Sequence, residues 1–246
     1  MRPFLSTVEW GIDVDRQQAF DLMDHFISNG GEYIRTATHY PSSGKSSRFG
    51  KANEYLQAWL QANPGSKPKV LCEIGVLGRG AELAAGLSVA ALLTMTELAR
   101  GQFFDALWAI SVARLPVQSD CEVGSITLAL KELGLRVATA EPVTDDKSSI
   151  DDGDDRLRHF DISSAQGNGG LNSAPDASVI IENFGTSRMY NSDDLDFLAR
   201  FSERIFGVCI RPTNPASLDE ALAQFSLLPS YQAANPGRIA DSGSLT

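Results

Sequence analysis

Residues 29–47 read NGGEYIRTATHYPSSGKSS, and the fold turns on how this stretch is read. Gly30 and Gly31 stop the segment DRQQAFDLMDHFISNG (15–30), whose Ala19, Leu22, Met23, Phe26 and Ile27 share one helical face. EYIRTATHY (32–40) then reads as a strand entering a polar loop. Arg35 stands inside it, where burial of an unpaired charge is costly. The arginine therefore calls for a partner.

The same alternation extends in both directions. FLSTVEWG (4–11), KVLCEIGV (69–76), FDALWAISV (104–112), LRVATAEPV (135–143), ASVIIENFG (177–185) and VCIRPTN (208–214) read as further strands. Between them lie helical patterns at KANEYLQAWLQAN (51–63), LAAGLSVAALLTMTELARG (83–101), GSITLALKELG (124–134) and NSDDLDFLARFSERIFG (191–207), the last capped by Asn191 or Ser192. SLDEALAQFSLL (217–228) opens with Ser217 and Glu220 in capping-box spacing, which predicts a helix start there. Strands alternating with helices imply a parallel sheet covered by helices, and a chain of 246 residues suits a TIM-type (β/α) barrel. The barrel domain spans 1–228, with a tail at 229–246. Only seven strands stand out where a closed barrel takes eight, which predicts a shortened, incomplete barrel or a strand hidden in 144–176. That segment, rich in Asp, Ser and Gly, reads as a long exposed acidic loop, and it lacks the spacing of a calcium loop.

Composition narrows the partners. A net charge of −10 argues against nucleic acid and anionic membranes, which require a positive footprint. No apolar run reaches the ~18 residues of a membrane span. Cys72, Cys121 and Cys209 lack the spacing of a disulfide framework or zinc site, which points to a reducing compartment, the cytoplasm. His25 and His159 have no companions at ligand spacing, so no metal site is expected. GVLGRGAE (75–82) is a poor anion-binding signal because a dinucleotide fingerprint is absent.

The stretch STVEWG…YIRTATHYPSSGKSS resembles the opening of the aldo/keto reductase family, which shows a Thr-Trp-Gly-like turn, a helix, then Asp-Thr-Ala followed by Tyr. In that resemblance Arg35 takes the Asp position and Tyr40 the Tyr position. VLCEIGV resembles the family segment carrying the active-site lysine, with Glu73 in its place. FDALWAISVARLP resembles the strand ending in the active-site histidine, whose place falls to Ile110, or to Ser111 in a register one longer. FLARFSERIFGVCIRPTNPASLDEALAQF resembles the last helix, strand and phosphate-binding loop. The family reduces carbonyls with NADPH, Tyr serving as the acid beside Lys, Asp and His. Only Tyr40 remains of those four.

The resemblance turns an Asp–Lys pair into Arg35–Glu73, an ion pair of reversed polarity that answers the need for a partner. It implies a degenerate catalytic site at Tyr40, Arg35 and Glu73 and a cofactor loop at Arg211, Thr213, Asn214 and Ser217, with NADPH as its cofactor. Backbone amides before a helix suit a phosphate, but Asp219, Glu220 and Ala221 stand where basic residues would help. His39 would face away from Tyr40 if both lay on one strand. Three readings stay open: a divergent protein with a small-molecule ligand and no ordinary reduction, an active reductase using Tyr40, and a non-enzymatic interaction protein with the acidic loop as its docking segment.

Overall fold

The computed structural model of the chain describes residues 1–41, 48–75, 89–112, 120–140, 157–161, 178–182, 190–226 and 228. Eight strands, β1 (Arg2–Ser6), β2 (Tyr33–Ala37), β3 (Lys69–Ile74), β4 (Leu107–Val112), β5 (Val137–Ala140), β6 (Leu157–Asp161), β7 (Ser178–Glu182) and β8 (Ile205–Ile210), form a closed barrel in chain order. Each strand pairs in parallel with the next, and β8 returns to β1 through Arg2–Gly207, Phe4–Cys209 and their neighbours. Of the open alternatives, the strand hidden in 144–176 is the one found. The eighth strand, β6, lies within the acidic segment, and short LRHFD shows neither alternation nor an apolar run to announce it. The rest of 144–176 and the tail 229–246 lie outside the described residues, as does the glycine-rich 76–82.

The helices are α1 (Arg16–Ser28), α2 (Lys51–Ala62), α3 (Val89–Phe103), α4 (Asp120–Glu132), α5 (Ser192–Arg200) and α6 (Pro215–Ser226). Asp15 and Gln18 form a reciprocal capping box that starts α1, and Asn191 and Asp194 do the same for α5. Two boundaries differ from expectation. α5 ends at Arg200 and β8 begins at Ile205, because FSER makes the turn without a glycine or proline to mark it. α6 begins at Pro215, two residues before the expected Ser217, since Asn214 Oδ1 accepts from Ser217 N at 2.9 Å and proline suits the first helical position. Among the described residues no helix is long and apolar enough to cross a membrane.

Strand alternation sorts side chains into two cores. Ile34, Val70, Cys72, Ile110, Val112, Val208 and Ile210 join the helices in the outer core. Phe4, Tyr33, Leu71, Ala109, Ala138, Ile180 and Cys209 form the inner one, with Trp108 and Phe206 packed against it. The rings close the N-terminal end: Trp108 stacks on Phe206 at 5.6 Å, and Tyr33 meets Phe206 edge-on at 5.5 Å. Arg2 and Lys69 lie over the Tyr33 ring at 5.2 and 4.9 Å. In barrels of this kind functional residues lie at the opposite, C-terminal end.

Two further contacts fix this arrangement. Thr7 Oγ1 donates to Thr36 Oγ1 at 2.8 Å, and Thr36 Oγ1 donates to Asn53 Oδ1 at 2.6 Å, a buried chain from the end of β1 through β2 to α2. Gly207 leaves room for Phe4, whose ring would lie 2.2 Å from a Cβ added there. Gly207→Ala is expected to overpack the inner core and lower stability by about 1–3 kcal/mol, read as a lower urea midpoint with unchanged slope.

Candidate functional site

Two residues beyond the inner core, strands β1 to β4 present Ser6, Arg35, Glu73 and Ser111 toward the barrel interior. Parallel register sets Ser6 beside Arg35 and Glu73 beside Ser111. Arg35 lies opposite Leu71 and Glu73 opposite Ala37, so the two charged residues are one diagonal step apart. Their side chains close that step. Arg35 Nη2 donates to Glu73 Oε2 at 2.7 Å, with the Arg35 side chain 0% and the Glu73 side chain 9% exposed. Arg35 Nη1 donates to the Thr36 carbonyl at 2.8 Å.

Loop backbone fastens the pair in place. Thr7 N donates to Arg35 O at 3.0 Å, and Thr38 N donates to Glu73 O at 2.9 Å, so the segments after β1 and β2 are tied to the strands that carry the charges. Tyr40 is buried, and its ring lies beneath the Arg35 guanidinium with 5.1 Å from Cζ to the ring centroid. The cation therefore covers the ring face. β2 ends at Ala37, so residues 38–40 form a turn and the expected strand alternation stops short of them. His39 and Tyr40 consequently touch, ring centroids 5.0 Å apart, where opposite orientations were expected.

The two candidates for the histidine place face opposite ways. Ile110 belongs to the outer core, against the helices, while Ser111 faces inward beside Glu73. The inward residue is a fully buried serine whose Oγ has no hydrogen-bond partner among the described residues. Cys72 points outward, as expected from its alternation with Glu73. Burial pushes its thiol up to about 12, Arg35 opposing the shift and Glu73 adding to it.

A second ion pair closes the neighbouring sector. Arg211, just past β8, donates through Nη2 to Glu9 Oε1 in the loop after β1, and both side chains are largely buried. Glu9 was missed in the sequence, although a carboxylate inside STVEWG is the same kind of anomaly as Arg35. The remaining expected cofactor residues cap their own helix. Thr213 N and Asn214 N donate to Ser217 Oγ at 3.0 and 3.2 Å, and Ser217 N donates to Asn214 Oδ1. The amides that would receive a phosphate are thus already directed at side chains of the loop. Among the described residues no group of His, Cys, Asp and Glu could hold a metal, and His25 instead meets Asp219 at 2.7 Å between α1 and α6.

Solved structures with this architecture include PA4992 of Pseudomonas aeruginosa, classed as an aldo-keto reductase, with a TM-score of 0.67, 16% identity, and coverage of 94% of this chain and 90% of that one. The fold is that of the aldo/keto reductases. The thermostable aldo-keto reductase Tm1743, solved with the inhibitor epalrestat, matches with a TM-score of 0.63 and 12% identity over 92% of this chain and 89% of its own. At such identities the likeness speaks for the fold and leaves activity to the site. No family model matches the chain. A curated relative, an uncharacterized 11.2 kDa protein in the crtE 3' region of Pseudescherichia vulneris, is 33% identical over 61 residues, 25% of this chain. The match spans 59% of that relative's length.

Removing either member of the buried pair strands the other charge. Arg35→Asp and Glu73→Lys are each expected to cost about 3–5 kcal/mol, and the double reversal to recover much of that loss, in a chemical-denaturation cycle. Additive losses would show that the side chains are not coupled. The Cys72 thiol, raised above its unfolded value of 9.0 to about 12, favours the fold below pH 9, and that contribution fades between those two values as the unfolded thiol ionises first. Native Cys72 should resist a thiol reagent at pH 8 and react on unfolding.

Proposed function

We propose that this chain is an aldo/keto-reductase-like protein that has given up ordinary NADPH-dependent carbonyl reduction and uses the C-terminal end of its barrel to bind a small molecule without hydride transfer. The carrying observation is the Arg35–Glu73 ion pair at 2.7 Å over Tyr40. On the family resemblance, reduction needs a lysine beside the tyrosine hydroxyl and a histidine to orient the carbonyl. Glu73 and Ser111 stand in those places, and a carboxylate offers neither the cation nor the donor that the reaction uses.

The cofactor loop supports the same reading. Arg211 is engaged by Glu9, and the helix start at Pro215 is capped by Asn214 and Ser217. An adenosine phosphate would have to displace these contacts, with Asp219 and Glu220 close by in sequence. These residues do not fit the nucleotide, and no step is assigned to it.

Calorimetric titration of the full chain with NADPH and NADP tests the proposal. No saturable heat is expected at millimolar nucleotide. Micromolar binding, joined to carbonyl reduction that disappears in Tyr40→Phe, would restore the active-reductase reading.

A further inference from the structure

A groove of about 280 Å3 lies on the outside of the barrel, between the connections that lead into β3 and β4. Leu60, Pro64, Phe103 and Ala106 give it apolar walls, and the exposed Lys67 and Asp105 line it as well. It sits at the N-terminal ends of the strands, opposite Arg35 and Glu73. A drug-sized ligand takes about 300–1,000 Å3, whereas a cavity of ~150 Å3 already accepts a benzene ring. The groove therefore suits one aromatic side chain.

Phe104 borders this groove at a cost to its own backbone. α3 ends at Phe103, and the chain leaves it in the left-handed region, with Phe104 at φ 46°. After α1 and α4 the left-handed residues are Gly30 and Gly134, at φ 70° and 75°. Glycine takes that conformation freely, and a bulky side chain is strained there. Phe104 is nevertheless 67% exposed. Strain that holds an aromatic ring in solvent points to a contact outside the chain.

The other large apolar side chains exposed among the described residues are Leu98, Leu128 and Leu133, on α3, on α4 and just after α4. α3 and α4 pack against each other, and Leu98 lies one turn from Gln102, which lines the groove. The sector is thus apolar beyond the groove itself, as docking surfaces are.

Charge and shape together select the occupant. At a net charge of −10, copies of this chain repel unless the surfaces that meet are locally balanced. Lys67 and Asp105 provide one cation and one anion, and neither makes an ion pair among the described residues. A two-fold axis sets a surface against itself, so a patch holding a knob, a groove and both charges is complementary to its own copy. We infer that this sector is the interface of a homodimer, in which Phe104 of each copy fills the groove of the other and Lys67 pairs with Asp105 across the axis. The exposed leucines extend the contact toward the about 800 Å2 per partner of a stable interface. None of this depends on what the C-terminal end binds.

Sedimentation velocity of the full chain over a range of concentrations tests the inference, and the parent is expected to dimerise. Phe104→Gly, which leaves α3 with the residue type used after α1 and α4, should keep the fold and weaken the dimer about tenfold or more. Lys67→Asp and Asp105→Lys move the net charge in opposite directions, yet each should weaken the dimer by setting like charges face to face. An equimolar mixture of these two variants should dimerise again, because a copy with two anions then meets a copy with two cations. A parent that stays monomeric even near millimolar concentration, as when the groove serves a small molecule or a different protein, overturns the inference. A dimer unchanged in Phe104→Gly, or a mixture no more dimeric than its parts, does the same.

Discussion

Among the described residues, the C-terminal ends of β1 to β4 are arranged around a fully buried guanidinium. Arg35 carries a fixed charge at every accessible pH, so its burial has to be answered by a carboxylate and by carbonyl acceptors. Glu73 supplies the first and Thr36 the second. The turn at residues 38–40, the Tyr40 ring and the backbone bonds from Thr7 and Thr38 then follow from holding that pair in one geometry. Within the pair itself the two charges balance.

The Glu9–Arg211 pair repeats the solution across the junction of β1 and β8, where the barrel closes. Both pairs join loops or strands that are neighbours in space and distant in sequence. They act as clasps across strand junctions as well as electrostatic features. On the loop before the last helix, the amides of Thr213 and Asn214 donate to Ser217 Oγ and that of Ser217 to Asn214 Oδ1.

Much of this was readable in the chain itself. The strand–helix alternation announced the barrel, Arg35 announced the need for a partner, and the aldo/keto reductase resemblance named Glu73 as that partner. The eighth strand was hidden because LRHFD is short and half charged, and its pairing with β5 and β7 is a property of the closed sheet. Ser111 and Ile110 could not be separated by counting along the strand, since β4 begins three residues later than its apolar run suggests, after a 3-10 turn at Phe104–Ala106. Glu9 and Arg211 are 202 positions apart, beyond any local pattern.

The ring-filled N-terminal end has its own consequence. Phe4, Tyr33, Trp108 and Phe206, with Arg2 and Lys69 laid over them, hold the strands together at the end opposite the site. The strand ends opposite the candidate site therefore have a cluster of their own to hold them. A barrel secured in this way can vary its mouth while the base continues to fold the chain, provided that the buried charges there change in pairs.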